Sequence, residues 1–280
     1  MQVIKTIAEM QQQSLDWKRQ GLTIGFVPTM GYLHEGHLSL IDLASERCDK
    51  VVVSIFVNPK QFGPNEDFTN YPRDEDGDLA ELKERNVDVA FLPPESEFYP
   101  ESFETVVTCT RLPAHLCGLR RKGHFDGVTT VVAKLFNATM PDVAVFGEKD
   151  YQQLLVLQRM TRDLNLPIEV LGGPTIREED GLAMSSRNAY LAPEDRKAAA
   201  SLFAALQKAR QLVTSGMVDA IMVRQKMTDI IEQAGGKIDY VAILDPHDLN
   251  ELETIKDKAH AAVAVFIGSA RLIDNMRLKG

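Results

Sequence analysis

The chain has 280 residues, of which 44% are hydrophobic and 25% charged, and 31 basic against 40 acidic side chains give a formal charge of −9. Such a length holds one large or two ordinary domains, and the composition is that of a globular protein rather than a disordered or fibrous one. The acidic balance argues against nucleic acid held by bulk surface charge, so a phosphate-bearing ligand needs a local basic pocket. No apolar run approaches the length of a membrane span.

Residues 4–20 read as an amphipathic helix, with Thr6 and Glu9 as a capping box and Gly21 as its stop. The first twenty residues contain Glu9, Asp16 and Lys18 and no apolar signal core, which predicts a cytoplasmic location. The apolar run Thr23–Val27 predicts a buried strand, stopped by Pro28. Beyond it lies Met30-Gly31-Tyr32-Leu33-His34-Glu35-Gly36-His37, and a helix is predicted over 36–47. A strand, a glycine-punctuated turn and a helix start make a phosphate site, with free backbone N–H groups and the positive end of the helix dipole facing the turn.

Three readings compete for His34 and His37. Zinc needs histidines four apart with Glu between them, and these are three apart. One packed and one surface histidine is the bland alternative. The third reading is phosphate chemistry, in which imidazole N–H groups stabilise charge that grows on a departing pyrophosphate. The downstream sequence favours the third.

Lys50–Val57 is a second strand whose unbroken apolar run suits a parallel sheet covered on both faces. The connection 58–73 is long, rich in Pro, Gly, Asn and Asp, and placed where open α/β sheets bind ligands. Its Asn58 and Gln61 amides suit a ligand bearing hydroxyls and a carboxylate. A charged helix over 74–86, with Leu79 and Leu82 inward, leads to a third strand over 87–92, and 104–109 reads as a further short strand. Arg120-Arg121-Lys122 then precede Gly123-His124-Phe125-Asp126-Gly127 and a helix over 128–139. This basic run reads either as a solvated face or as phosphate-facing, with Arg121 foremost, and Asp126 reads as the helix N-cap.

The fourth core strand is predicted over 142–147, followed by Glu148-Lys149-Asp150 and a helix over 151–164. Lys149 at a helix start is electrostatically unfavourable without an anion, which assigns it to phosphate, while Asp150 caps the helix or holds a ribose hydroxyl. Gln153 in the first turn would reach the crevice of Gln61. A last strand at 168–171 ends at Gly172-Gly173-Pro174, a domain boundary. Past it come helices over 193–214 and 217–233 and strands over 238–244, 261–267 and 271–277, the last two a hairpin through Gly268-Ser269. The whole predicts an α/β protein with a doubly wound parallel sheet over 1–176 and a smaller α+β lid domain over 177–280. Cys48, Cys109 and Cys117 are odd in number and form no Cys-x-x-Cys pair, so they are expected as thiols, without a disulfide framework or a structural metal.

His34-Glu35-Gly36-His37 resembles the histidine signature of the nucleotidylyltransferase and class I tRNA synthetase superfamily, and its Rossmann-like fold. The longer block over 28–40 resembles the pantothenate synthetase (pantoate–β-alanine ligase) family, as do Phe56–Gly63, Gly123–Val128, Phe146–Leu154 and Gly181–Asn188, in that order. The resemblance implies an AMP-forming ligase that joins pantoate and β-alanine through a pantoyl adenylate, with ATP as co-substrate, Mg2+ bridging its phosphates, and a homodimer. It places ATP on Met30, Gly31, Tyr32, Leu33, His34, Glu35, Gly36, His37, Arg121, Gly147, Glu148, Lys149, Asp150 and Ile176. To these it adds the mobile loop Met184-Ser185-Ser186-Arg187, whose hydroxyls and guanidinium would meet the triphosphate. Pantoate and β-alanine fall to Asn58, Gln61 and Gln153, and catalysis to His34, His37, Lys149 and Arg187. A nucleotidylyltransferase that releases its adenylated product uses the same first half-reaction and is the alternative.

Overall fold

The computed structural model describes residues 1–64 and 66–280; Asn65, inside the expected 58–73 connection, lies outside the described residues. The chain forms two compact units, one of Met1–Glu148 with Gln152–Pro174, the other of Lys149–Tyr151 with Thr175–Gly280. The first unit's last segment ends at Pro174, and the tripeptide 149–151 clusters with the second unit.

In the first unit the elements run β1 (Gln2–Ile4), α1 (Ile7–Arg19), β2 (Ile24–Thr29), α2 (Glu35–Ser45), β3 (Lys50–Ile55), α3 (Glu75–Glu84), β4 (Val89–Phe91) and α4 (Glu95–Phe98). They continue with α5 (Leu116–Arg120), α6 (His124–Thr139), β5 (Val143–Gly147), α7 (Tyr151–Asp163), whose first residue belongs to the other unit, and β6 (Glu169–Gly173). All neighbouring strands are parallel, in the order β1-β4-β3-β2-β5-β6. Strand apolarity is continuous because both faces are covered: Val27, Val51, Val53 and Val145 pack with Leu38, Ile41 and Ala44 of α2, while Phe26 meets Phe136 of α6 edge-on at 6.3 Å. Gly25 lets α2 approach, since a Cβ there would lie 3.2 Å from that of Ala44.

Several sequence expectations shift, each for a local reason. The Thr6 cap holds, with Glu9 N donating to its hydroxyl at 3.3 Å, but residue 4 belongs to the short edge strand β1 rather than to the helix. Pro28 does not stop β2. Lys50 N donates to Thr23 O and Phe56 N to Thr29 O, so odd-numbered residues face β3. The proline's missing N–H therefore faces the β5 side, where pairing has already ended at Phe26. Residues 104–109 form no strand: α6 threonines satisfy that backbone, Val107 N donating to Thr130 Oγ1 at 3.0 Å and Thr129 Oγ1 donating to Val107 O. Asp126 is not the cap of α6, which starts four residues earlier than expected behind Gly123 at φ 78°; Asp126 lies in the first turn, where its charge suits the dipole.

The second unit contains α8 (Arg196–Thr214), α9 (Ala220–Gln233), β7 (Lys237–Leu244), β8 (Ala259–Ile267) and β9 (Ala270–Lys279), the strands forming one antiparallel sheet in sequence order. Leu202, Leu206, Met227, Ile231, Val263 and Val265 fill its core, each fully buried side chain of this size contributing about 1.5–3 kcal/mol. The hairpin joining β8 to β9 turns at Gly268, φ 54°, as expected. Among the described residues no helix is long and apolar enough to cross a membrane.

Candidate active site

In the first unit the strand order reverses direction between β2 and β5: β3 and β4 lie to one side, β6 to the other. The carboxyl ends of strands at such a switch point are where open α/β sheets bind ligands. The turn 30–37 leaves β2 there, and Gly147 ends β5 with Glu148 directly after it.

The turn is built by its own side chains. His34 is the N-cap of α2 and its Nδ1 accepts from Gly36 N at 3.1 Å, while His37 Nδ1 accepts from His34 N at 3.3 Å. Backbone N–H groups can only donate, so both Nδ1 atoms are acceptors and the ring proton of each sits on Nε2. The two rings lie against each other, centroids 4.1 Å apart. The expected row of open backbone donors is absent at these positions: Gly31 N donates to Thr29 Oγ1, Tyr32 N to Asp78 Oδ2 at 2.9 Å and Leu33 N to Asp78 Oδ1 at 2.7 Å. The ring protons on Nε2 are the donors that the two imidazoles themselves carry. Gly31 (φ 81°) is required because a Cβ would stand 2.8 Å from Asp78 Oδ2. Asp78 reaches in from α3 and is almost wholly buried; burial pushes its carboxyl above the ordinary value, opposed by the two N–H donors. Glu35 lies on the exposed side, paired with Arg85.

Asn58 and Gln61 form a second cluster in this unit. Asn58 is buried, its Nδ2 donating to Gln61 Oε1 and to Gly127 O, both at 3.1 Å, and its Oδ1 accepting from Tyr99 OH at 2.8 Å. Gln61 Nε2 approaches Met30 Sδ at 3.1 Å, which brings the amide to the end of β2. Gly127 permits α6 to lie on this loop, since a Cβ would run into the Lys60 carbonyl and stand 2.7 Å from Gln61 N. Arg121 is engaged as a clamp: its Nε and Nη2 pair with Glu66 at 2.7 and 2.5 Å, and Nη2 also donates to Gln61 O at 3.3 Å. Burial alone would raise the Glu66 carboxyl, but Arg121 holds it below its ordinary value. Gln152 and Gln153 part company. Gln152 is buried and bonds Cys117 N, Leu112 O and His115 O. Gln153 is half-buried, with no hydrogen bond to its amide among the described residues.

In the second unit Ile176 O accepts from Met184 N at 2.9 Å, closing a loop over 176–184. Ser185 caps the 3-10 turn that follows, its Oγ accepting from Arg187 N at 3.3 Å, and Ser186 is buried. Asn188 ties this turn to Glu178 at 2.6 Å and Ala183 O at 3.1 Å, and Arg196 fastens Glu178 and Asp180 in turn. Lys149 and Asp150, both half-buried, stand in this unit, and Lys149 Nζ has no ion pair among the described residues.

The family model for pantoate-beta-alanine ligase matches residues 2–277. The chain belongs to the pantoate–β-alanine ligase family. A pantothenate synthetase of Heliobacterium modesticaldum is 54% identical over 99% of this chain and 99% of its own, and one of Fervidobacterium nodosum is 52% identical over the same shares. The solved pantothenate synthetase of Thermus thermophilus superposes with a TM-score of 0.93 at 46% identity over the whole of both chains. The pantoate-beta-alanine ligase of Francisella tularensis, solved with beta-gamma ATP and β-alanine, gives 0.84 at 34% identity over 99% of this chain and 98% of that one.

Within this member of the pantoate–β-alanine ligase family, sequence reasoning missed Asp78 and Tyr99. Asp78 had a usable signal: it lies four residues before inward-facing Leu82, hence on the buried face of α3. Tyr99 had none, being separated from Asn58 by 41 positions.

Proposed function

We propose that the enzyme makes pantothenate in two steps on one ATP. A carboxylate oxygen of pantoate attacks the α-phosphorus, the bond to the α,β-bridging oxygen breaks, and pyrophosphate leaves. The β-alanine amine, arriving unprotonated, then forms the amide bond at the acyl carbon; AMP departs with the carboxylate oxygen, and the nitrogen gives up a proton. The observation that carries this reading is the pair of interlocked imidazoles after β2, whose Nδ1 atoms are committed to the backbone and whose Nε2–H groups are the donors. Fixed donors facing a site where charge grows stabilise the transition state without reorganising.

Gln61 and Gln153 hold pantoate, with Asn58 and Tyr99 fixing the Gln61 amide. Arg121 serves by holding the Gln61 loop against Glu66. Lys149, Ser185, Ser186 and Arg187 give cationic and hydroxyl donors to the triphosphate. Magnesium bound to the nucleotide would neutralise phosphate charge. Among the described residues no three His, Cys, Asp or Glu side chains are grouped to hold an ion, so the nucleotide would supply most of its ligands.

The test is oxygen-18 tracing. Label placed in the pantoate carboxylate should appear in AMP, and AMP should form only with pantoate and β-alanine both present. Unlabelled AMP, or a stable adenylated product released in the first step, would refute the ligase mechanism.

A further inference from the structure

The tripeptide Lys149–Tyr151 belongs to the second unit although the chain on both sides belongs to the first. Two anchors hold it. Asn275 Nδ2, on β9, donates to the Lys149 carbonyl at 2.8 Å. The Tyr151 ring stacks on His260 of β8, centroids 3.8 Å apart and planes 11° from parallel, and its hydroxyl donates to Pro246 O at 2.8 Å. One clasp precedes Asp150 and the other follows it.

The clasp is oriented from behind. His260 Nε2 lies 2.8 Å from Asn275 Oδ1. That oxygen can only accept, so the imidazole donates, and the other face of the amide must present its NH2 to Lys149 O. Asn275 N donates to Asp274 Oδ1 at 2.7 Å, and the buried Asp274 is gripped by Arg177 at 2.6 and 3.0 Å. His260 Nδ1 is left buried without a partner among the described residues. A phenyl ring would serve for stacking alone and leave no orphaned nitrogen; what imidazole adds is the donor that sets the amide.

We propose that Asn275 and His260 are positioning residues for Lys149, fixing through its own carbonyl the direction from which its ammonium leaves the backbone. The proposal rests on Lys149 acting toward the triphosphate. Its test pairs hydrogen exchange with kinetics on the full-length enzyme, using Asn275→Ala, His260→Phe (which keeps the stack but removes the donor), Lys149→Ala and the Asn275→Ala/Lys149→Ala double variant.

Asn275→Ala should speed amide exchange over 149–152 while other peptides of the second unit exchange as in wild type. Adenylate formation should slow by about ten- to a hundredfold, the cost of misplacing a charge by ~1 Å, with the KM for pantoate unchanged. His260→Phe should move the same two readouts in the same direction. In the Lys149→Ala background, Asn275→Ala should cost nothing more. Unchanged exchange over 149–152, or losses that multiply in the double variant, would overturn the proposal. Full activity of Lys149→Ala would instead remove Lys149 from the chemistry and so overturn the role given it above, while the exchange result would still decide the anchoring.

Discussion

Asp78→Asn tests whether a carboxylate from another helix holds the histidine turn. The wild-type side chain gives one oxygen to Tyr32 N and the other to Leu33 N, at 2.9 and 2.7 Å. Asparagine keeps one acceptor and turns an NH2 toward the second donor. Losing one charge-assisted hydrogen bond and stranding a buried N–H costs about 1.5–3 kcal/mol. Part is returned, because burial already disfavours the ionised carboxyl, whose pKa is raised. A net loss of about 2 kcal/mol remains, which in a domain of this size lowers Tm by about 4–8 °C. The catalytic effect should be larger in proportion. The turn carries His34 and His37 directly after the two donors, and a shift of ~1 Å in their Nε2–H groups should slow adenylate formation by about a hundredfold. Pyrophosphate exchange into ATP in the presence of pantoate reads the rate, and differential scanning calorimetry reads the stability. A variant that melts several degrees lower yet exchanges at the wild-type rate would refute the claim that the buried carboxylate positions the histidines.

Four other outcomes are expected. On the mechanism proposed, His37→Ala should lower the rate of adenylate formation far more than the affinity for pantoate, because its partner charge would develop in the transition state; equal losses, measured by rapid quench and by equilibrium binding, would mark the ring as a capping group only. Gln153→Ala should raise the KM for pantoate by about tenfold, the cost of one or two polar contacts, with Tm nearly unchanged. Gln152→Ala should do the reverse, since its amide closes three backbone bonds around α5, and a common effect of the two variants on both readouts would contradict the division. His260 sets a pH dependence: burial drives its pKa from 6.5 down to about 4. The unfolded chain therefore takes up the proton first, and stability is full above pH 6.5, falls as the pH drops toward 4, and is lost to the extent of about 3 kcal/mol below that. Urea midpoints across this range should fall more steeply for wild type than for His260→Phe, and parallel curves would show that the imidazole is not held neutral.

The fold was legible where local chemistry and tertiary need agree. The Thr6 cap, the doubly covered strands and the β8–β9 hairpin all announce themselves in short windows. Elements set by distant partners did not. β1 is three residues long and exists because Gln2, Val3 and Ile4 pair with Val89, Ala90 and Phe91. Residues 104–109 have strand composition but find their hydrogen bonds on threonines of α6. At the candidate site the histidines, Asn58 and Gln61 stand out by residue type at a strand end. Their supports, Asp78 and Tyr99, are separated from them by dozens of positions. Arg121 stands out in its basic run, whereas its pairing with Glu66 is set by a partner 55 positions away.

The path of the chain at 149–151 also bears on how this protein can be cut. A fragment ending at Pro174 would contain every strand of the parallel sheet, yet carry Tyr151 without His260 and Lys149 without Asn275. The complementary fragment would keep His260 and Asn275 without the tyrosine ring and the lysine carbonyl they hold. Severed halves should therefore recover activity only on recombination, when the tripeptide is threaded back against β8 and β9.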